Sequence, residues 1–152
     1  MAAGLNVGGF TDWRLPTTLQ LDATCSNSND AGSPYGVQSY AYGCTGSELG
    51  HLFYQEIAAA EGSSILTGKT MELDKFTTIQ DYIYWSGTEY APLPVKAWYF
   101  YTSSGYQGIN PKDSNLYAWA VRSGDVVPEP GIIGLLGIGA LAWAGTRQKR
   151  RD

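Results

Sequence analysis

An α+β domain with a small antiparallel sheet, one main helix and long loops, followed by a C-terminal transmembrane helix, is the fold these 152 residues predict. Three observations lead to it. A capping pattern and a helical apolar period coincide between Thr45 and Ala60. Three runs rich in aromatic and β-branched residues are separated by Gly, Pro and Ser. Near the end, an uncharged stretch runs directly into a block of cations.

Taken in order, the segment Thr45-Gly-Ser-Glu48 is a capping box that opens the helix. Leu49, Leu52, Phe53 and Ile57 then share one face, and Gly62 is placed to terminate it. Asp81 to Ser86 reads as a strand. Val95 to Thr102 reads as a second, with Ser103-Ser104-Gly105 as its turn, and Leu116 to Val121 as a third. Pro92 and Pro94 interrupt the chain between the first two. Asp12 and Arg14 fall on the same side of any strand they occupy and fit a structural ion pair.

Charge and cysteine usage narrow the function. Residues 1–127 carry six Lys/Arg against twelve Asp/Glu, a net charge of −6. So acidic a domain lacks the cations that neutralise phosphate, which argues against nucleic acid as a partner. Cys25 and Cys44 flank a polar segment that would pack poorly alone. In an oxidising compartment a bridge between them would add ~3 kcal/mol by restricting the unfolded chain; two unrelated buried thiols are the alternative. No Cys/His cluster suggests a metal, and no cofactor is implied. His51 reads as a surface or packing residue.

The last 26 residues have a layout of their own. Val127-Pro128-Glu129-Pro130 is stiff and extended, because each proline resists helix. An apolar span at 131–146 follows, diluted by glycine. Its uncharged core, Gly131 to Gly145, would cover ~22 Å as a helix at ~1.5 Å per residue, short of a ~30 Å hydrocarbon core. Arg147, Lys149, Arg150 and Arg151 form a basic stop that the positive-inside rule keeps in the cytoplasm. A temporary halt suits this span better than a permanent anchor.

This triplet of features resembles the PEP-CTERM sorting signal of exopolysaccharide-producing Gram-negative bacteria. The resemblance implies an exosortase as partner, removal of the tail, an inner-membrane intermediate, and delivery to the cell surface or extracellular matrix. Export needs an N-terminal signal, and Met1 to Gly9 has neither a basic region nor a long apolar stretch. The true start is therefore expected upstream; the alternative is a cytoplasmic domain with a tail anchor.

Residues 1–126 carry a second resemblance. "GGFTDWRLPT" (Gly8 to Thr17), "YWSGTEY" (Tyr84 to Tyr90), "AWYF" (Ala97 to Phe100) and "YAWAVRSGD" (Tyr117 to Asp125) occur in order. Together they resemble the Lcl C-terminal domain, DUF1566. The RLPT element is also similar to formylglycine-generating-enzyme and C-type-lectin-like folds. The family pattern has an acidic residue shortly after RLPT; Gln20 stands there and can complete a capping box with Thr17. The family's association with sulfated glycans suits so acidic a domain badly.

No catalytic residues emerge. HExxH, GxSxG, a P-loop and a Cys–His set are all absent from the sequence, as are the EPN, QPD and WND motifs of calcium-dependent lectins. Carboxylates at Glu72, Asp74, Asp81 and Glu89 have no spacing that selects a glycosidase pair. Aromatic rings stack on sugar C–H faces, so binding is the better expectation. Trp85, Trp98 and Trp119 are expected mainly in the core. Tyr90 and Tyr106 stand beside turns and, with Asn110 and Asn115, are the glycan-binding candidates. The reading is an exported surface or exopolysaccharide-matrix protein with a non-catalytic, glycan-binding domain. An enzyme acting on matrix polysaccharide and an inert matrix element remain as alternatives.

Overall fold

The computed structural model describes residues 4–29, 32–68, 70, 74, 76 and 78–123. The chain divides into two units, Met1–Arg122 and Ser123–Asp152. The expected sorting motif at 127–130, the span at 131–146 and the basic tail at 147–152 lie outside the described residues. Among the described residues, no helix is long and apolar enough to cross a membrane.

Two sheets organise the first unit. Strands β1 (Asn27–Asn29) and β2 (Gln38–Tyr40) form a short antiparallel ribbon. Strands β3 (Ile83–Glu89), β4 (Lys96–Tyr101), β5 (Tyr106–Pro111) and β6 (Tyr117–Ala118) form the larger sheet, in the order β5-β4-β3-β6. The three aromatic runs became β3, β4 and β6. The expected antiparallel sheet is in fact mixed, because β6 runs parallel to β3, with Tyr84 opposite Tyr117. Strand β5 was not expected at all: its Gly108 and Pro111 disguise a strand, yet all six residues pair with β4.

The helix is much shorter than the apolar period suggests. Helix α1 (Glu48–His51) passes into a π-helical turn at Leu52–Glu56. The expected capping box does not form: the N-cap is Ser47, with no side-chain cap. Glu48 turns away to accept two bonds from Arg14, at 2.6 and 2.8 Å, because a bidentate guanidinium outcompetes a neutral cap. Gly50 leaves no room for a side chain: a Cβ there would lie 1.9 Å from the Cys44 carbonyl oxygen. Gly62 is not the terminator; Ala58, at φ 54°, already turns the chain. The apolar face itself holds. Leu49, Phe53 and Ile57 pack with Ala59, Ile65, Tyr84 and Phe100 as the core, and Leu52 lies at its margin.

Cys25 and Cys44 are joined in a disulfide. It ties the start of β1 to the loop ahead of α1. Behind it, the buried Gln107 of β5 donates to the Ser39 carbonyl at 3.1 Å, and paired backbone bonds between Ala41 and Gln107 join the small sheet to the large one.

Candidate functional site

Two local structures are candidates for chemistry: the point where the sequence motifs meet, and the surface where the aromatic rings gather.

The motifs converge on the extended segment 14–18. Arg14 exchanges both backbone bonds with Val121, each 2.8 Å. The Pro16 carbonyl accepts from Gly87 N–H at 2.8 Å and from the Ser86 hydroxyl at 3.0 Å. Thr18 N–H donates to the Thr88 hydroxyl. A Cβ on Gly87 would lie 3.2 Å from the Leu15 Cβ, so the two segments pass in close contact there. The expected Asp12–Arg14 pair does not form. Arg14 is taken by Glu48, and Asp12 faces the Arg122 Nε at 3.2 Å. Arg122 also lies 3.7 Å over the Phe10 ring.

Glu48 carries the strongest electrostatic perturbation at this junction. The Arg14 guanidinium, helped by the backbone N–H and hydroxyl of Thr17, pulls its carboxyl down to about 2 against the opposing effect of burial. A carboxylate held this firmly ionised is a poor proton carrier near neutral pH. Gln20 makes no capping box with Thr17 either. Its amide instead pairs both backbone groups of Ser39. The motifs thus act as fasteners, each satisfying backbone groups of another.

Asp22, Cys25 and Cys44 are the one set among the described residues with metal-ligand atoms in proximity. The sulfurs are bonded to each other, and the Asp22 carboxylate already accepts from Thr24 N–H and hydroxyl and from Gly46 N–H. That donor set is spent, and it does not suit a metal.

The aromatic residues form two surfaces. On the first, Tyr106 and Asn110 lie on the same face of β5, opposite Tyr101 and Ala97 of β4. Tyr99 stacks on Tyr106 at 6.4 Å, and Tyr42 meets the same ring edge-on at 5.3 Å. Gly108 accommodates Tyr99, whose hydroxyl would come within 2.8 Å of any Cβ there. A small hollow of about 240 Å³ lies beside these rings. Burial pushes the phenols of Tyr99 and Tyr106 up, so both keep their protons at neutral pH. Asn110 sits on a strand, not in the polar loop its neighbours suggest.

The second surface is larger and follows the β3–β6 pairing. Phe76, Trp119, Tyr84, Tyr117 and Tyr82 form a continuous row with centroid separations of 5.0, 5.4, 5.6 and 6.0 Å. Two adjoining hollows, about 440 and 470 Å³, share Gln80 and Tyr117. One is lined by Tyr84, Trp119 and Phe76, the other by Tyr82, Asp81 and Asn115. Tyr82 and Tyr117 are 47% and 46% exposed, so their rings are available to a ligand.

The floor of this trough is held in place. Gln80 N–H donates to the Tyr84 hydroxyl at 2.7 Å. The buried Thr102 hydroxyl accepts from Tyr82 N–H and reaches the carbonyls of Gln80 and Tyr82 at 2.9 and 2.8 Å, its one proton serving either. Burial is the main influence on Tyr84 and pushes its phenol up.

The candidates therefore part company. Asn115 lines the trough, and Tyr106 and Asn110 share the sheet face. Tyr90 belongs to neither surface. It is 4% exposed, its hydroxyl donates to the Tyr35 carbonyl, and its ring meets Trp98 edge-on at 6.0 Å. A ring so enclosed has no face for a sugar, so Tyr90 is a core residue. Of the tryptophans, Trp98 is buried, whereas Trp85 and Trp119 are half-buried. Sequence reasoning missed Tyr82, Tyr117 and Gln80, and weighed Asp81 only as half of a hydrolytic pair. The shared parity of Tyr82 and Tyr84 was visible, but nothing local announces the parallel pairing that brings Tyr117 beside them.

Residues 1–122 match the family of the Lcl C-terminal domain, and residues 126–151 match the PEP-CTERM protein-sorting motif. The second match marks an exported protein that an exosortase recognises and directs toward the cell surface. No curated protein and no solved structure matches the chain.

Proposed function

The chain belongs to the Lcl C-terminal domain family and carries an exosortase sorting signal, and from that premise we propose that its folded domain binds glycan without transforming it, at the cell surface or in the exopolysaccharide matrix. The tail halts in the inner membrane, is removed near Pro130, and frees the domain. The observation that carries the binding reading is the row of rings running through Tyr117, with Gln80, Asp81 and Asn115 beside it. Aromatic faces take up sugar C–H surfaces, and convergent amides and carboxylates engage hydroxyls. Asp81 is the charged residue among the described residues lining the trough.

Pull-down of the mature protein on native exopolysaccharide, with Tyr117→Ala and Tyr82→Ala beside the parent, tests the reading. Retention that both exposed-ring variants lose, with unchanged thermal unfolding, is the expected result. Equal retention of all three proteins rejects the trough as the site. Release of reducing ends that Asp81→Asn abolishes would favour an enzyme.

A further inference from the structure

The trough has a charge and a length that select among glycans, and both rest on the binding reading above. We infer that its ligand is an uncharged, linear oligosaccharide stretch that straddles Tyr117.

Length comes first. Each hollow, at about 440 and 470 Å³, is of the size that takes one small ligand. They meet at Tyr117 and share Gln80, so one ligand chain can occupy both. Trp119 offers a half-buried ring on one side of Tyr117 and Tyr82 an exposed one on the other; the buried Tyr84 backs the first side, its centroid 5.4 Å from Trp119 and 5.6 Å from Tyr117. A single sugar would use one side and leave the other wet.

Charge comes second. The described residues lining both hollows include no Lys or Arg; their one charged member is Asp81. Among the described lining residues, a sulfate or uronate at this end would face a carboxylate and no cation, in a domain already acidic. Neutral hydroxyls meet the opposite situation, since Asp81 accepts and the side-chain amides of Gln80 and Asn115 both donate and accept. The bonds that the backbone N–H groups of Gln80 and Tyr82 donate to Tyr84 and Thr102 hold the main chain of this end before a ligand arrives, which lowers the ordering cost of binding.

The test is calorimetric titration of the mature protein with cello- and malto-oligosaccharides of one to six units, a mixed panel of neutral glycans, a heparin-derived hexasaccharide and a hexameric oligogalacturonate. Neutral chains should bind best, with affinity rising about tenfold or more from one unit to four. Added salt should leave that affinity unchanged, because no ion pair contributes. Tyr117→Ala should remove the length dependence, and Tyr117→Phe should restore it; because Tyr117 also packs on the buried Tyr84, thermal unfolding of both variants beside the parent separates loss of the ring from loss of the fold. Asp81→Asn should raise the affinity of the anionic hexamers relative to the neutral ones. Tightest binding by a charged hexamer, weakening with salt, overturns the inference while leaving glycan binding intact. So does a neutral affinity that is flat with length. Failure of every glycan to bind overturns both the inference and the reading beneath it.

Discussion

Glu48→Gln is the most informative change in the scaffold, because Glu48 joins the RLPT segment to the start of α1. The carboxyl is pulled down to about 2 from an ordinary value of 4.5. At ~1.36 kcal/mol per pH unit, that displacement corresponds to roughly 3 kcal/mol. The Arg14 and Glu48 side chains are 40% and 38% exposed, so solvent screening reduces the figure to about 1–2 kcal/mol. The sign follows from the direction. A carboxyl lower in the folded state stabilises fully above its unfolded value, and the effect drains away as pH falls from 4.5 toward 2. Urea unfolding of parent and variant should therefore differ by about 1–2 kcal/mol at pH 7, and by less than half as much at pH 3. A difference that is the same at both pH values would show that Glu48 acts through shape and not charge. No difference at pH 7 would show that the Arg14 bond is not a fastener.

Three further outcomes follow from the same structure. Replacing both Cys25 and Cys44 by Ser opens a bridge of sequence separation 19 and should lower stability by about 3 kcal/mol, read as a lower urea midpoint that added reductant does not change further. Tyr90→Phe removes a buried hydroxyl bond to Tyr35 and should cost about 1 kcal/mol in unfolding while leaving glycan affinity untouched; a loss of affinity with no loss of stability would return Tyr90 to the site. Glu129→Ala in the sorting motif should leave the tail attached, so that mass spectrometry of the native-host protein finds Arg150 and Arg151 still present, whereas the parent ends near Pro130.

The sorting signal and the family were both legible along the chain, because each rests on short contiguous motifs: Val127 to Pro130 followed by the basic tail, and WRLPT, YWSGT and VR in order. The strands β3 and β4 and the buried face of Leu49, Phe53 and Ile57 were legible for the same reason, since period and composition are local properties. Partner choice was not. Glu48 sits three residues after Thr45, as a capping box requires, yet it is captured by Arg14, 34 positions away. Tyr90 stands beside a turn and still ends in the core, because Tyr35 closes over its hydroxyl. The trough exists because β6 lies parallel to β3 and lays Tyr117 between Tyr82 and Tyr84. Sequence fixes which side chains are aromatic, acidic or extended. Only the tertiary fold decides which of them share a surface, because that depends on backbone bonds made across tens of residues.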